Sequence, residues 1–352
     1  MLKFGSKDAF DFSIQESRSI SITRLLAILF VVYIHSYSLS LIFESGVAAL
    51  NVPGWLVYFE NLISQVVSRF AVPALFLISS ILLFRKERDW LGNTKGKVKS
   101  LVVPYLLWNT AWITVWLLAP LVPGASRFFS GGGIDIQGVG DLLKLYGIGD
   151  YPHVYQLWFL RDLFLFNIFA PVVWAIANRA PRSTAIVFFA IALLPLDLPF
   201  KQGLPWFVLG ACYVHSAQIR RAFLSIPTVL SILVYIFCSL LGAINFQGIA
   251  AEVAIAVGVI AWLKIASRLE ASKLGDCLVA LSRWSFIVYA FHEPILTLLK
   301  KLCVALLPRT WPCILAEFIF IPVVVIAVCF GTGVLFKKVA PHLYALSTGG
   351  RA

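Results

Sequence analysis

Apolar runs of helix-spanning length recur along this chain from residue 20 to residue 336, separated by short polar breaks. Runs of about 17 to 25 apolar residues cross a bilayer core as helices. The pattern predicts ten spans: 20–42, 59–84, 100–122, 156–177, 183–196, 203–217, 223–242, 248–266, 277–301 and 313–336. The fifth and sixth are short and carry Pro195, Pro199 and Pro205 at their edges, where missing backbone donors blur the boundaries. The expected fold is all-α: a polytopic membrane protein with a tail at 1–19, one transmembrane domain at 20–336 and a tail at 337–352. No polar block between spans is long enough to bury a core of its own.

Loop charge orients the spans independently. With the N-terminus inside, the inner breaks read "RKERDWLGNTKGK", "NRAPR", "IRRAF" and "SRLEASK", and the last tail begins at Lys337 with "KK". The outer breaks "ESGVAALNVPGW" and "INFQG" carry no basic residue, and the long 123–155 loop carries only Arg127 and Lys144. This alternation predicts both termini on the cytoplasmic side. Lys300 and Lys301, near an outer end, are the main exception, and their long stems permit snorkelling. The 123–155 loop also holds "SGGGIDIQGVGD" with Asp135, Asp141 and Asp150, read as a solvated connector.

Composition agrees with the pattern. Hydrophobic residues make up 60% of the 352, which leaves too little polar surface for a soluble domain. The net charge of +12 is explained by inner-loop lysines and arginines, so nucleic acid is not expected as a partner. Lys3, Lys7 and Arg18 precede the first span without an apolar signal region. Of six cysteines, Cys303 and Cys313 flank an outer loop and are the pair able to form a disulfide there; no cysteine or histidine spacing suggests a metal site.

The chemistry begins in "RLLAILFVVYIHS", residues 24–36. Arg24 and His35 are eleven residues apart, almost three turns, so they share one helix face roughly 16 Å apart along the axis. Arg24 sits one turn inside the cytoplasmic end, where an anchoring role alone would explain it. His35 lies 15 residues in, a depth at which ionisable groups usually face a polar interior. Arg69 and His292 fall 15 residues from the inner ends of their own spans, so three spans place His, Arg and His at one level. Glu293 is placed either to pair with Arg69 or to orient a histidine. In "HVYQLWFLRDLF", Trp158 suits the interfacial belt, while Gln156, Arg161 and Asp162 exceed what a lipid-facing helix tolerates. As helix neighbours, Arg161 and Asp162 are expected to find separate partners. The most basic stretch follows span two and begins with Arg85, Lys86 and Arg88.

These segments together resemble the acyltransferase 3 family of integral membrane proteins. The R-x10-H spacing of Arg24 and His35 is similar to its first-helix signature. "VPALFLISSILLF" followed by Arg85 and Arg88 resembles its second-helix motif and R-x-x-R, and "KVKSLVVPYLLWN", "LWFLRDLF", "PWFVLGACY" and "FIVYAFHEP" follow in the family's order over about 20–300. Two positions depart from the family. Ser79-Ser80 stands where Ser-Gly is common, and "SISIT" lacks the acidic residue often found before the arginine. The resemblance implies transfer of an acyl group, most often acetyl, from cytoplasmic acetyl-CoA to a hydroxyl of an extracytoplasmic glycan, at a bacterial inner membrane. Arg24, Arg85 and Arg88 would hold the CoA phosphates, and His35 would act as general base or as acyl carrier. Arg69 would stabilise the oxyanion or orient the donor, His292 would join the catalytic group, and Trp158, Arg161 and Glu293 would bind substrate. The bilayer, acyl-CoA and a glycan are thus the implied partners. A transporter or flippase without chemistry is the competing reading, since buried His and Arg and broken helices suit that class as well.

Overall fold

The computed structural model describes residues 2–6, 12–37, 52–122, 134 and 136–350, the side chain of Pro120 apart. Arg127, Asp135, Lys7 and most of the "ESGVAALN" and "SGGGIDI" stretches lie outside the described residues. In chain order the helices are α1 (Ile14–His35), α2 (Gly54–Glu60), α3 (Ala71–Phe84), α4 (Trp90–Lys97), α5 (Val103–Leu118), α6 (Val139–Leu145) and α7 (Trp158–Ile168). They continue with α8 (Ala170–Arg179), α9 (Pro181–Leu193), α10 (Leu204–His215), α11 (Ala217–Ser225), α12 (Thr228–Gly242) and α13 (Ile249–Leu269). The last are α14 (Lys273–Ser282), α15 (Ser285–Leu306), α16 (Trp311–Val339) and α17 (Pro341–Ser347).

Among the described residues, five helical stretches are long and apolar enough to cross a membrane: Ile14–His35, Gly54–Phe84, Trp90–Leu118, Ile249–Leu269 and Trp311–Val339. Three pairs, α7 with α8, α11 with α12 and α14 with α15, also qualify if each bent pair is one span, which makes eight. The spans predicted at 156–177, 223–242 and 277–301 are therefore each broken. Pro171 and Pro227 explain two of the breaks, because neither can continue the backbone ladder. By contrast α15 runs straight through Pro294. The ring leaves the Ala290 carbonyl without its usual helical donor, and the Trp112 indole N–H donates to that oxygen at 3.2 Å. The fold is that of an all-α, multi-pass membrane protein.

The chain packs as two compact units, Met1–Lys95 with Leu165–Ser285, and Gly96–Phe164 with Phe286–Ala352. In the first unit α1 starts six residues before the predicted span. Ser13 and Glu16 close a reciprocal capping box, and Arg18 donates to the Glu270 carbonyl at 2.7 Å and to Asp276 at 2.5 Å. The same helix stops at His35, with the Ser36 hydroxyl on the Tyr33 carbonyl at 2.8 Å, so the predicted continuation to residue 42 is not helical at 36 and 37.

Residues 3–4 pair antiparallel with Arg88–Asp89 as strands β1 and β2. Gly5 turns the chain at φ +98, where a side chain would meet the Lys86 carbonyl, and Ser6 N–H reaches the Phe84 carbonyl at 2.8 Å. Phe4 is buried against the Phe84 ring, 5.8 Å between centroids. What the sequence presents as a loose tail is a clip across the turn carrying Arg85 and Arg88.

The Ser79-Ser80 departure from the family has a structural counterpart. Ser80 is fully buried against α10, its hydroxyl on the Phe207 carbonyl, and a Cβ on Gly210 would come within 2.6 Å of the Ser80 Cβ. The missing glycine of one helix is thus supplied by the facing one. Gly210→Ala is expected to cost about 1–3 kcal/mol by overpacking. A Cβ there would also come within 2.8 Å of the Leu77 carbonyl, so the double variant with Ser80→Gly should recover only part of the loss. Thermal unfolding in detergent measures both, and an unchanged melting temperature in Gly210→Ala would mean that the contact is not tight.

In the second unit α5 is tied to α17 by the Trp108 indole, which donates to the Ser347 carbonyl at 2.9 Å. Tyr105 holds the turn after α6 through the Tyr146 carbonyl at 2.7 Å.

Candidate active site

Arg24, His35, Arg69, Arg85 and Arg88 all fall in the first unit, while Trp158, Arg161, His292 and Glu293 fall in the second. Helix α1 is unbroken between Arg24 and His35, so the two residues do share a face. His35 is the last residue of that helix rather than an interior one, and is half-buried. Two residues before it, the Tyr33 carbonyl accepts from the Ser64 hydroxyl of span two at 2.8 Å.

Span two is not a uniform helix. Between α2 and α3 the chain adopts a π-helix over Asn61–Val66 and a 3-10 turn over Val67–Phe70, with Val66 at φ −123 and ψ −66. One extra residue in a turn rotates every later side chain by about 100°, which is why π-bulges recur at functional sites. Arg69 lies in the 3-10 turn itself. Its guanidinium donates to Gln65, one turn earlier, and is electrostatically coupled to Glu252 at the start of α13. Glu252 is in turn bonded to Lys201. Arg69 Nε has no hydrogen-bond partner among the described residues. Sequence reading missed Gln65, Glu252 and Lys201 as a group, because they come from three different segments.

Arg85 and Arg88 lie at the opposite end of α3, beneath the N-terminal clip. Phe12 lies against the Arg85 guanidinium at 5.1 Å, and Arg85 Nε has no hydrogen-bond partner among the described residues. Arg88 Nε donates to the Leu83 carbonyl at 3.0 Å. Partial burial, and then the neighbouring Arg85 charge, lower the Arg88 pKa from its ordinary value. Two guanidiniums held together against their mutual repulsion favour an anion.

In the second unit His292 is fully buried, and its Nδ1 faces the Val288 and Tyr289 carbonyls at 3.0 and 2.9 Å. Both partners are acceptors only, so Nδ1 carries the proton and Nε2 is the basic nitrogen. Glu293 accepts from the Thr297 hydroxyl at 2.7 Å and from Tyr155, with Lys300 in electrostatic range. Arg161 and Asp162 do meet, at 2.9 Å, contrary to the expectation of separate partners. The long arginine stem folds along the first turn of α7 and also reaches the Gly147 and Asp150 carbonyls at 3.0 and 2.7 Å. These bonds fasten the 147–150 turn to α7. Trp158 opens the same helix, half-buried. Cys303 and Cys313 are both free thiols.

A family model described as an acyltransferase domain matches residues 17–336, so the chain belongs to the acyltransferase 3 family and is an acyltransferase of the membrane. Among characterised relatives, the succinoglycan biosynthesis protein ExoH of Rhizobium meliloti (strain 1021) is 25% identical over 344 residues, covering 87% of this chain and 89% of that protein. No solved structure matches.

Proposed function

We propose that this protein is a membrane O-acyltransferase that moves an acyl group, taken as acetyl, from cytoplasmic acyl-CoA to a hydroxyl of an extracytoplasmic polysaccharide. The observation that carries the reading is the unbroken helix α1 joining Arg24 to His35 within a chain of this family. The similarity to a protein of succinoglycan biosynthesis supports a polysaccharide acceptor. In this reading the two short helices α9 and α10 also cross, giving ten spans with both termini cytoplasmic in the bacterial inner membrane.

Arg24, Arg85 and Arg88 bind the CoA phosphates, and the thioester arm rises along α1. His35 takes the proton of the acceptor hydroxyl as its oxygen bonds to the acyl carbon. The C–S bond then breaks and the CoA thiolate leaves, to be protonated. If His35 instead carries the acyl group, imidazole nitrogen attacks first and the hydroxyl displaces it in a second step. Arg69, oriented by Gln65 and balanced by Glu252, stabilises the negative oxygen of the tetrahedral intermediate. His292 Nε2 is a second base within the other unit, and Glu293 and Trp158 are substrate contacts there.

Transfer of label from acetyl-CoA, and from longer acyl-CoAs, to glycan in membranes holding this chain tests the reading. Label in glycan above the level of membranes without the chain supports it. No transfer from any donor in a glycan-bearing host overturns it in favour of transport. Arg88→Ala is expected to raise the donor KM about tenfold with little change in kcat, the signature of lost ground-state phosphate binding. A fall in kcat at unchanged KM would place Arg88 elsewhere in the mechanism.

A further inference from the structure

Glu60 stands at the junction of α2 and the π-helix, and its exposure is 0%. A carboxylate buried so completely in an apolar span needs a cation or several donors to be tolerated. Two contacts fix the helix facing it. Ser64, also at 0% exposure, donates to the Tyr33 carbonyl at 2.8 Å, and further along span two the Phe70 ring meets Phe30 at 5.2 Å between centroids. Helix α1 therefore runs antiparallel to span two, with its end at His35 on the Glu60 side of Ser64.

His35 lies two residues beyond Tyr33, a backbone distance of at most about 7 Å, and Glu60 lies one turn beyond Ser64 in the same direction. Between Tyr33 and Tyr37 it is the one side chain able to carry positive charge. Glu60, Ser64 and Ser68 all have 0% exposure, so this part of span two buries three polar side chains. Helix α1 packs along both distorted segments that bear Ser64 and Ser68.

We propose that Glu60 is the positioning residue of His35: its carboxylate accepts one imidazole N–H, turns the other nitrogen toward the reacting hydroxyl and balances the imidazolium formed on proton transfer. The inference rests on the reading of His35 as the reactive base or carrier. Glu60 itself neither takes up a proton nor touches the acyl group. Glutamine at this position keeps the shape and removes the charge, and aspartate keeps the charge on a shorter stem.

Glu60→Gln is expected to lower kcat for acyl transfer on the order of 100-fold with donor KM within about twofold, and Glu60→Asp to recover at least tenfold of that loss. Both variants should match wild type in detergent-solubilised yield and melting temperature. A readout independent of turnover is the pH midpoint of His35 modification by diethyl pyrocarbonate, followed by peptide mass spectrometry. The titratable groups on the elements packed against α1 toward this end include Tyr33 and Tyr37 on its own segment, Glu60 and Arg69 on span two, and Glu252 at the start of α13. A neighbouring carboxylate favours the protonated imidazole, so removing it lowers the midpoint. Wild-type kcat in Glu60→Gln, or an unchanged midpoint, overturns the proposal while leaving the acyltransferase reading intact. Absence of transfer by the wild type overturns that reading, and the modification midpoint still decides whether Glu60 acts on His35.

Discussion

His35→Ala is expected to reduce acyl transfer at least 100-fold at matched expression, the largest loss from any single substitution in this chain. General-base assistance contributes roughly 10²–10⁴ in rate, and a nucleophile that carries the acyl group contributes no less. Alanine removes only the imidazole, and His35 is the last residue of its helix, so α1 should survive the change. The assay is label transfer from acyl-CoA to glycan, with thermal unfolding as the control for folding. If His35→Ala transfers as well as wild type, the base lies elsewhere, and His292, whose Nε2 is the basic nitrogen, becomes the residue to substitute. A radiolabelled protein band in wild type that disappears in the variant would identify the carrier pathway rather than the base pathway.

Arg69→Ala is the second large effect, expected on the order of 100-fold in kcat, because one lost oxyanion partner costs roughly 10²–10³. The structure gives a reason to expect lysine to be a poor substitute. Arg69 uses one guanidinium nitrogen on Gln65 while Nε has no hydrogen-bond partner among the described residues. A single ammonium cannot hold Gln65 and present a second fixed donor in the same plane. Arg69→Lys should therefore recover less than about tenfold of the loss. Substitution also leaves Glu252 with Lys201 as its ion-pair partner, so the two acidic and basic groups remain balanced and the fold should hold. Equal kcat in Arg69→Ala and wild type would reduce Arg69 to a structural ion.

Much of this was legible in order along the chain. Apolar run lengths marked where helices would lie, and Arg24 with His35 on a common face followed from 3.6 residues per turn. The breaks at Pro171 and Pro227 were also written locally, as was the capping box of Ser13 and Glu16, a signal that span length alone passed over. Other features had no local signal. Glu60 lay at the edge of a predicted span and was not singled out, yet it is fully buried. The π-helix at Asn61–Val66 has an unremarkable composition, and only its packing against α1 makes it visible. Lys201 and Glu252 meet across 51 residues. Arg161 and Asp162 were separated by a rule for side chains on a helix surface, which does not hold for a long arginine folding over the first turn.

What the sequence alone determined is the solvent of each segment: apolar length dictates which parts leave water, and charge in the breaks argues for a direction of insertion. It also determined the residue types available for chemistry and their spacing within any one helix. Tertiary structure decided which of those residues have company. It closed the tail over Arg85 and Arg88, joined Lys201 to Glu252, and brought Ser64 onto the end of α1. The physical reason is that helix periodicity is a local property, whereas a buried charge is made tolerable by groups from distant segments, and their distances are set only when those segments pack.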